Sequence, residues 1–199
     1  MIDRIGRGLV AIKKIYLLFT DTGTLLNKTI NLCTRSTLNH CSISFDKGLT
    51  ELYSFGRKNP RNPFNAGFVR ENVETELFQR STCAVYSYSV TDQELFIMKR
   101  RIKYMESMQQ YYRYNLLGLF TVIMNREWNR ENKYFCSQFV AILLKESGVI
   151  DLEKPVCLVR PQDLLNLHQL ELIYRGKLNA YPHLLETKPL VGNFERALG

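Results

Sequence analysis

The sequence predicts an α+β protein, with a small antiparallel sheet packed against helices, and three observations lead there. Runs rich in β-branched and aromatic residues recur at 11–19, 38–55 and 83–90, the composition of half-buried strands. Runs with apolar residues at helical spacing occupy the stretch after Thr91 and the stretch from Cys136 to Ser147. Repeats, low-complexity runs and credible linkers are all missing from the 199 residues, so the chain reads as one domain.

Taken in order, Ala11 to Phe19 reads as a strand that enters the core and stops at the turn-like Thr20-Asp21-Thr22-Gly23. Leu25, Leu26, Ile30 and Leu32 follow a helical period and predict a helix over 24–35. His40 to Phe45 alternates, Asp46-Lys47-Gly48 is a turn, and Leu49 to Phe55 is a second strand. Together, 38–55 reads as a hairpin. Residues 56–72 hold two prolines and two glycines and read as an ordered, basic loop able to line a cleft.

Cys83 to Val90 is another strand. Thr91-Asp92-Gln93-Glu94 matches a capping box and opens a helix to about Met108. Tyr111 to Met124 is aromatic and partly helical in pattern. Cys136 to Ser147 is a helix with Phe139, Val140, Leu143 and Leu144 on one face and Gly148 after its end. Arg160-Pro161-Gln162-Asp163 starts a short helix, and a strand follows near Glu171 to Tyr174. The core is expected over about 11–175, with an irregular tail at 176–199.

Composition narrows the classes. An apolar content of 45% with 12% aromatics belongs to a globular protein rather than a disordered one. Apolar stretches such as Leu116 to Met124 fall short of the roughly 20 residues needed to span a bilayer. The amino terminus lacks the longer apolar region and small-residue cleavage site of a signal peptide, so a cytoplasmic location is expected. Five widely spaced cysteines without a C-x-x-C pair form neither a disulfide framework nor a zinc pattern. The net charge of +8 favours anionic contacts, an anionic membrane surface among them. Nucleic acid is disfavoured, because the basic residues are dispersed and no recognition motif accompanies them.

The chemistry centres on Cys136. At the first turn of a helix, a thiol meets the positive end of the helix dipole and unpaired backbone N–H groups. Both stabilise the thiolate, which is the nucleophile, and the same donors can hold an oxyanion. A thiolate needs a base, and the chain has three histidines: His40, His168 and His183. His168 falls in a short amphipathic helix and His183 in the tail, whereas His40 begins a strand that can hold a ring rigidly. That favours His40 as the partner.

His40-Cys-Ser-Ile-Ser-Phe, a turn, a second strand and, much later, Tyr134-Phe-Cys136-Ser-Gln-Phe-Val together resemble the circularly permuted branch of the NlpC-type papain-like superfamily. That branch includes lecithin:retinol acyltransferase and a set of bacterial and poxviral proteins. The resemblance covers roughly 11–55 and 82–147. It implies a permuted papain-like fold in which His comes first on a strand and Cys last on a helix. It also implies Cys136 as nucleophile and His40 as base.

The resemblance further implies a third group, on the strand after the His strand, that orients the imidazole. Here that strand offers Ser54, which the hairpin alignment favours, and Glu51, its only carboxylate. Strand alternation puts the two on opposite faces, so only one can serve. A serine would bring no charge to the imidazolium. Tyr134, Gln138 and Arg57 are the candidate substrate-binding residues, with Tyr114 and Asn115 as further cleft walls. Tyr134 is more simply explained as core packing, and Arg57 can equally be a solubilising loop charge.

No phosphate loop or metal-ligand cluster appears, and no cofactor or metal is expected. The expected activity is a thiol hydrolase that cleaves an amide or ester bond through an acyl-enzyme on Cys136, acting on a peptide, amide or acyl-lipid substrate. Two other readings stand beside it: an acyltransferase working at membranes, and a non-catalytic binding protein on the same scaffold.

Overall fold

The structure is a computed structural model that describes residues 11–21, 38–59, 62–115, 127 and 130–186. The helix expected over 24–35 and the segment 116–124 lie outside the described residues.

Six strands form one antiparallel sheet: β1 (Ile12–Asp21), β2 (His40–Ser44), β3 (Leu52–Asn59), β4 (Asn62–Arg70), β5 (Thr82–Thr91) and β8 (Glu171–Lys177). Their spatial order is β4-β3-β2-β1-β5-β8, every neighbouring pair antiparallel. Two short strands, β6 (Arg113–Tyr114) and β7 (Lys133–Tyr134), pair in parallel apart from the sheet. The helices are α1 (Glu76–Gln79), α2 (Asp92–Ser107), α3 (Cys136–Glu146), α4 (Pro161–Leu165) and α5 (Pro182–Glu186). The mixed α+β character expected from the sequence is therefore observed. None of the helices among the described residues is long and apolar enough to cross a membrane.

Side-chain alternation along β1 sorts the interior into two cores. Ile15, Leu17 and Phe19 point to a core shared with Met98, Ile102 and Met105 of α2 and Phe139, Val140 and Leu143 of α3. Leu18 points to the opposite face and packs with Leu52, Val73, Phe78, Val85, Leu178, Tyr181 and Leu184. The period of two along a strand requires this division. The capping box forms as expected: the Glu94 amide donates to Thr91 Oγ1 at 3.2 Å, and the Thr91 amide donates to Glu94 Oε2 at 2.6 Å.

Two expectations change. The run 56–72 is largely a strand hairpin, because β3 extends to Asn59 and β4 runs from Asn62 to Arg70. Pro63 is compatible with this because β4 is an edge strand, where a missing N–H need not break a ladder bond. Gly67 is required by close approach: a Cβ there would stand 2.3 Å from the Tyr112 carbonyl oxygen. The tail is not wholly irregular either. A single 3-10 turn (Leu178–Ala180) and α5 bring Tyr181 and Leu184 into the second core.

Candidate active site

The β2–β3 ladder is short. Its register covers only Ile43↔Tyr53 and Ser44↔Leu52, whereas β3 stays paired with β4 from Tyr53 to Asn59. Beyond the end of that ladder, His40 to Ser42 stay paired with β1 but not with β3, and Asn39 meets the start of α3. Cys136 is the first residue of α3, its N-cap is Phe135, and no side chain caps the helix. The first-turn N–H groups thus keep the positive end of the dipole open beside the sulfur.

Three groups of β2 and its approach surround Cys136. Its thiol lies 3.9 Å from the Asn39 carbonyl oxygen, towards which the neutral form donates. The Cys41 thiol, the His40 ring and the Cys41 backbone N–H are the groups beside Cys136 that favour its thiolate by hydrogen bonding. Donation from Cys41, reinforced by the charge and hydrogen bond of His40, outweighs burial and holds the Cys136 pKa well below the ordinary thiol value of 9.0. Cys41 itself moves the other way, because burial and the neighbouring thiolate keep it protonated.

The imidazole has its own support. His40 Nε2 lies 2.7 Å from Glu71 Oε1, a part-buried contact with side-chain exposures of 14% and 7%. Ser54 Oγ donates to Glu71 Oε1 at 2.7 Å. Ser42 Oγ donates to Glu71 Oε2 and stands 3.3 Å from His40 Nε2. With Nε2 engaged by Glu71, the remaining ring nitrogen, Nδ1, is the one left for the thiol.

Burial opposes charge on this ring, but the Glu71 carboxylate and the hydrogen bonds to Cys136 and Glu71 prevail, raising the His40 pKa well above 6.5. For Glu71, burial again opposes ionisation. The His40 cation with the two serine donors overcomes it, and the pKa falls below 4.5. Cys136, His40 and Glu71 therefore stand in a line in which the shifts favour the thiolate, the imidazolium and the carboxylate in turn.

The residues expected from the sequence fall in different places. Cys136 and His40 come together from α3 and β2. Ser54 lies one contact further out, holding Glu71 rather than the ring. Glu51 is away from His40: it precedes β3 and forms a surface ion pair with Lys99 at 2.8 Å. The carboxylate role weighed between Ser54 and Glu51 is filled by Glu71. It stands directly after β4, with its amide donating to the Leu52 carbonyl at 2.8 Å.

Tyr134 packs edge-on against Phe55, with ring centroids 5.2 Å apart, and beside Tyr112. Gln138 is fully buried, and neither of its amide atoms has a hydrogen-bond partner among the described residues. Arg57 is half-buried on β3, and its charge acts on the phenol of Tyr114. The Cys136 thiolate acts on the same phenol, and together with burial it keeps Tyr114 protonated. Tyr114 belongs to the site by this measure, as the residue paired with Tyr134 across β6 and β7.

Sequence reasoning missed Glu71 and Cys41. The available signal for Glu71 was that it is the only carboxylate in the run 56–72. Reading that run as a loop hid the register that brings it to His40. Cys41 stands beside His40 in the sequence, but its neighbours carry no signal that its thiol meets Cys136.

A cavity of about 420 Å³ lies on another flank of Glu71, lined by residues including Leu49, Arg70, Asn72 and Gln79. Neither Cys136 nor His40 lines it, so it is not where a carbonyl would meet the sulfur. Its polar walls are largely occupied with one another: Arg70 donates to the Thr50 carbonyl at 3.0 Å, and Gln79 donates to the Val73 carbonyl at 2.9 Å. No group of three or more metal-ligating side chains is present among the described residues. Comparison with protein-family models, with curated proteins and with solved structures finds no match for the chain.

Proposed function

We propose that this protein is a cysteine hydrolase of permuted papain-like architecture that cleaves an amide or ester bond through an acyl-enzyme on Cys136. The observation that carries the reading is geometric: Cys136 opens an uncapped helix beside the His40 strand, and His40 Nε2 lies 2.7 Å from the Glu71 carboxylate, with the Cys136 pKa lowered by Cys41 and His40 in keeping with it. Shifts of this kind, each tied to a specific partner, cluster at functional sites. Glu71 also weakens the case for a non-catalytic scaffold, because it brings to His40 the charge that a serine partner would not.

The mechanism follows from the contacts. The thiolate attacks the acyl carbonyl, and the N–H groups of the uncapped first turn of α3 stabilise the oxyanion. The His40 imidazolium gives its proton to the leaving amine or alkoxide, and Glu71 stabilises the ring while it is charged. The ring, now neutral, then takes a proton from water as that water attacks the thioester, regenerating the thiolate.

The test is alkylation. At pH 6.5, iodoacetamide is expected to label Cys136 much faster than a model thiol, and His40→Ala is expected to remove the advantage. Equal rates for wild type and model thiol would sink the reading. Incubation with cell extract, followed by mass spectrometry of the Cys136 peptide, would identify the acyl group it carries.

A further inference from the structure

Cys41 is a buried nucleophile-bearing residue for which the acyl-transfer mechanism has no covalent use. It is 1% exposed in the same core as Cys136, which is 4% exposed, and its thiol is the foremost of the groups that depress the Cys136 pKa. Both residues belong to the core between the sheet and α3. The strand edge fixes the pair from two sides, through the Asn39 carbonyl at 3.9 Å and the Cys41 N–H. The other described cysteines are placed elsewhere. Cys83 faces the opposite core with its pKa pushed up to about 12 by burial, and Cys157 sits in the 3-10 turn Val156–Leu158.

We propose that Cys41 is a resolving thiol for Cys136, making the pair a site of reversible modification by hydroperoxides. The proposal rests on the reading of Cys136 as an activated thiolate, because a thiolate is the form that hydroperoxides oxidise. Cys136 attacks the terminal oxygen of the hydroperoxide, forming an S–O bond. The O–O bond breaks, and the alkoxide or hydroxide leaves and takes up a proton.

The Cys41 thiol then attacks the sulfenic sulfur. An S–S bond forms, the S–O bond breaks, and the hydroxyl leaves as water with the Cys41 proton. One hydroperoxide is thus reduced by two electrons and two thiols are oxidised to one disulfide. Exposure of Cys41 is not needed, since its attack is intramolecular. Without a resolving partner, the sulfenic acid would proceed to the irreversible sulfinic acid.

The experiment treats the full-length chain with a small molar excess of hydrogen peroxide, then alkylates and digests it without reductant. The expected product is a Cys41–Cys136 linked peptide pair. Iodoacetamide labelling of Cys136 is lost with it and restored by dithiothreitol. In Cys41→Ser, the same treatment should give a Cys136 sulfinic acid that dithiothreitol does not restore.

The proposal is overturned by wild-type Cys136 reaching the sulfinic acid with Cys41 still alkylatable, by linkage to a different cysteine, or by Cys136 surviving unmodified. The wild-type linkage alone decides the matter if Cys41→Ser does not fold. Slow alkylation of untreated wild type would instead count against the hydrolase reading, so the two failures are distinguishable.

Discussion

Glu71 accepts hydrogen bonds from two serines as well as pairing with His40, so its oxygens are almost fully committed inside the protein. Glu71→Gln preserves shape and removes charge. It should lower turnover of any substrate found by about 10²- to 10⁴-fold, as expected when the orienting carboxylate of a triad is neutralised. The alkylation–pH profile of Cys136 should also move to higher pH. An unchanged profile would exclude Glu71 from the line. Loss of the buried partner should cost roughly 3 kcal/mol of stability.

The pH dependence of that loss follows from the directions of the shifts. Glu71 is depressed below 4.5, so its contribution is present above 4.5 and fades as pH falls through the lower folded value. His40 is raised above 6.5, so its contribution is complete below 6.5 and fades as pH rises through the higher folded value. The stability gap between wild type and Glu71→Gln should therefore be widest between 4.5 and 6.5 and narrow on both sides, measurable by urea unfolding across pH.

At the scale of elements, the β3–β4 hairpin controls the site through two glycines. A Cβ on Gly67 would collide with the Tyr112 backbone carbonyl at 2.3 Å, and backbone cannot step aside cheaply. Gly67→Ala should lower stability by about 1–3 kcal/mol, read by thermal unfolding. A Cβ on Gly56 would stand 3.3 Å from both Glu71 Oε1 and Ser54 Oγ, side-chain atoms that can give by a few tenths of an ångström. Gly56→Ala should thus disturb Cys136 reactivity more than it disturbs the melting temperature. The opposite ranking would mean that Glu71 is not held through this strand. The hairpin was not legible from 56–72 because proline and glycine are local breakers. What tolerates them here is an edge position and a crossing by Tyr112, which are facts about distant segments.

At the scale of the whole molecule, the sheet is covered on both faces, and the second cover joins Val73 and Phe78 with Leu178, Tyr181 and Leu184 from the residues after 176. Tyr181 is fully buried there, and its hydroxyl donates to the Lys47 carbonyl at 3.0 Å. Tyr181→Ala should cost roughly 3–5 kcal/mol, the range for deleting a buried aromatic ring. Chemical denaturation measures it, and a loss below about 1 kcal/mol would show that this cover is dispensable.

What could be read without coordinates was local. The start of α3 at Cys136, the strand at His40 and the capping box at Thr91 each follow from neighbouring residues, because helix ends, strand alternation and caps are short-range physics. The carboxylate on His40 was not local. Glu71 reaches the ring across 31 positions, only because β4 folds back on β3 in one register. The contact of Cys41 with Cys136 likewise depends on where β2 ends its pairing and α3 begins. Sequence singled out Cys136 and His40. Tertiary structure chose the carboxylate beside His40 and the second thiol beside Cys136, since both are set by strand register, which no short window encodes.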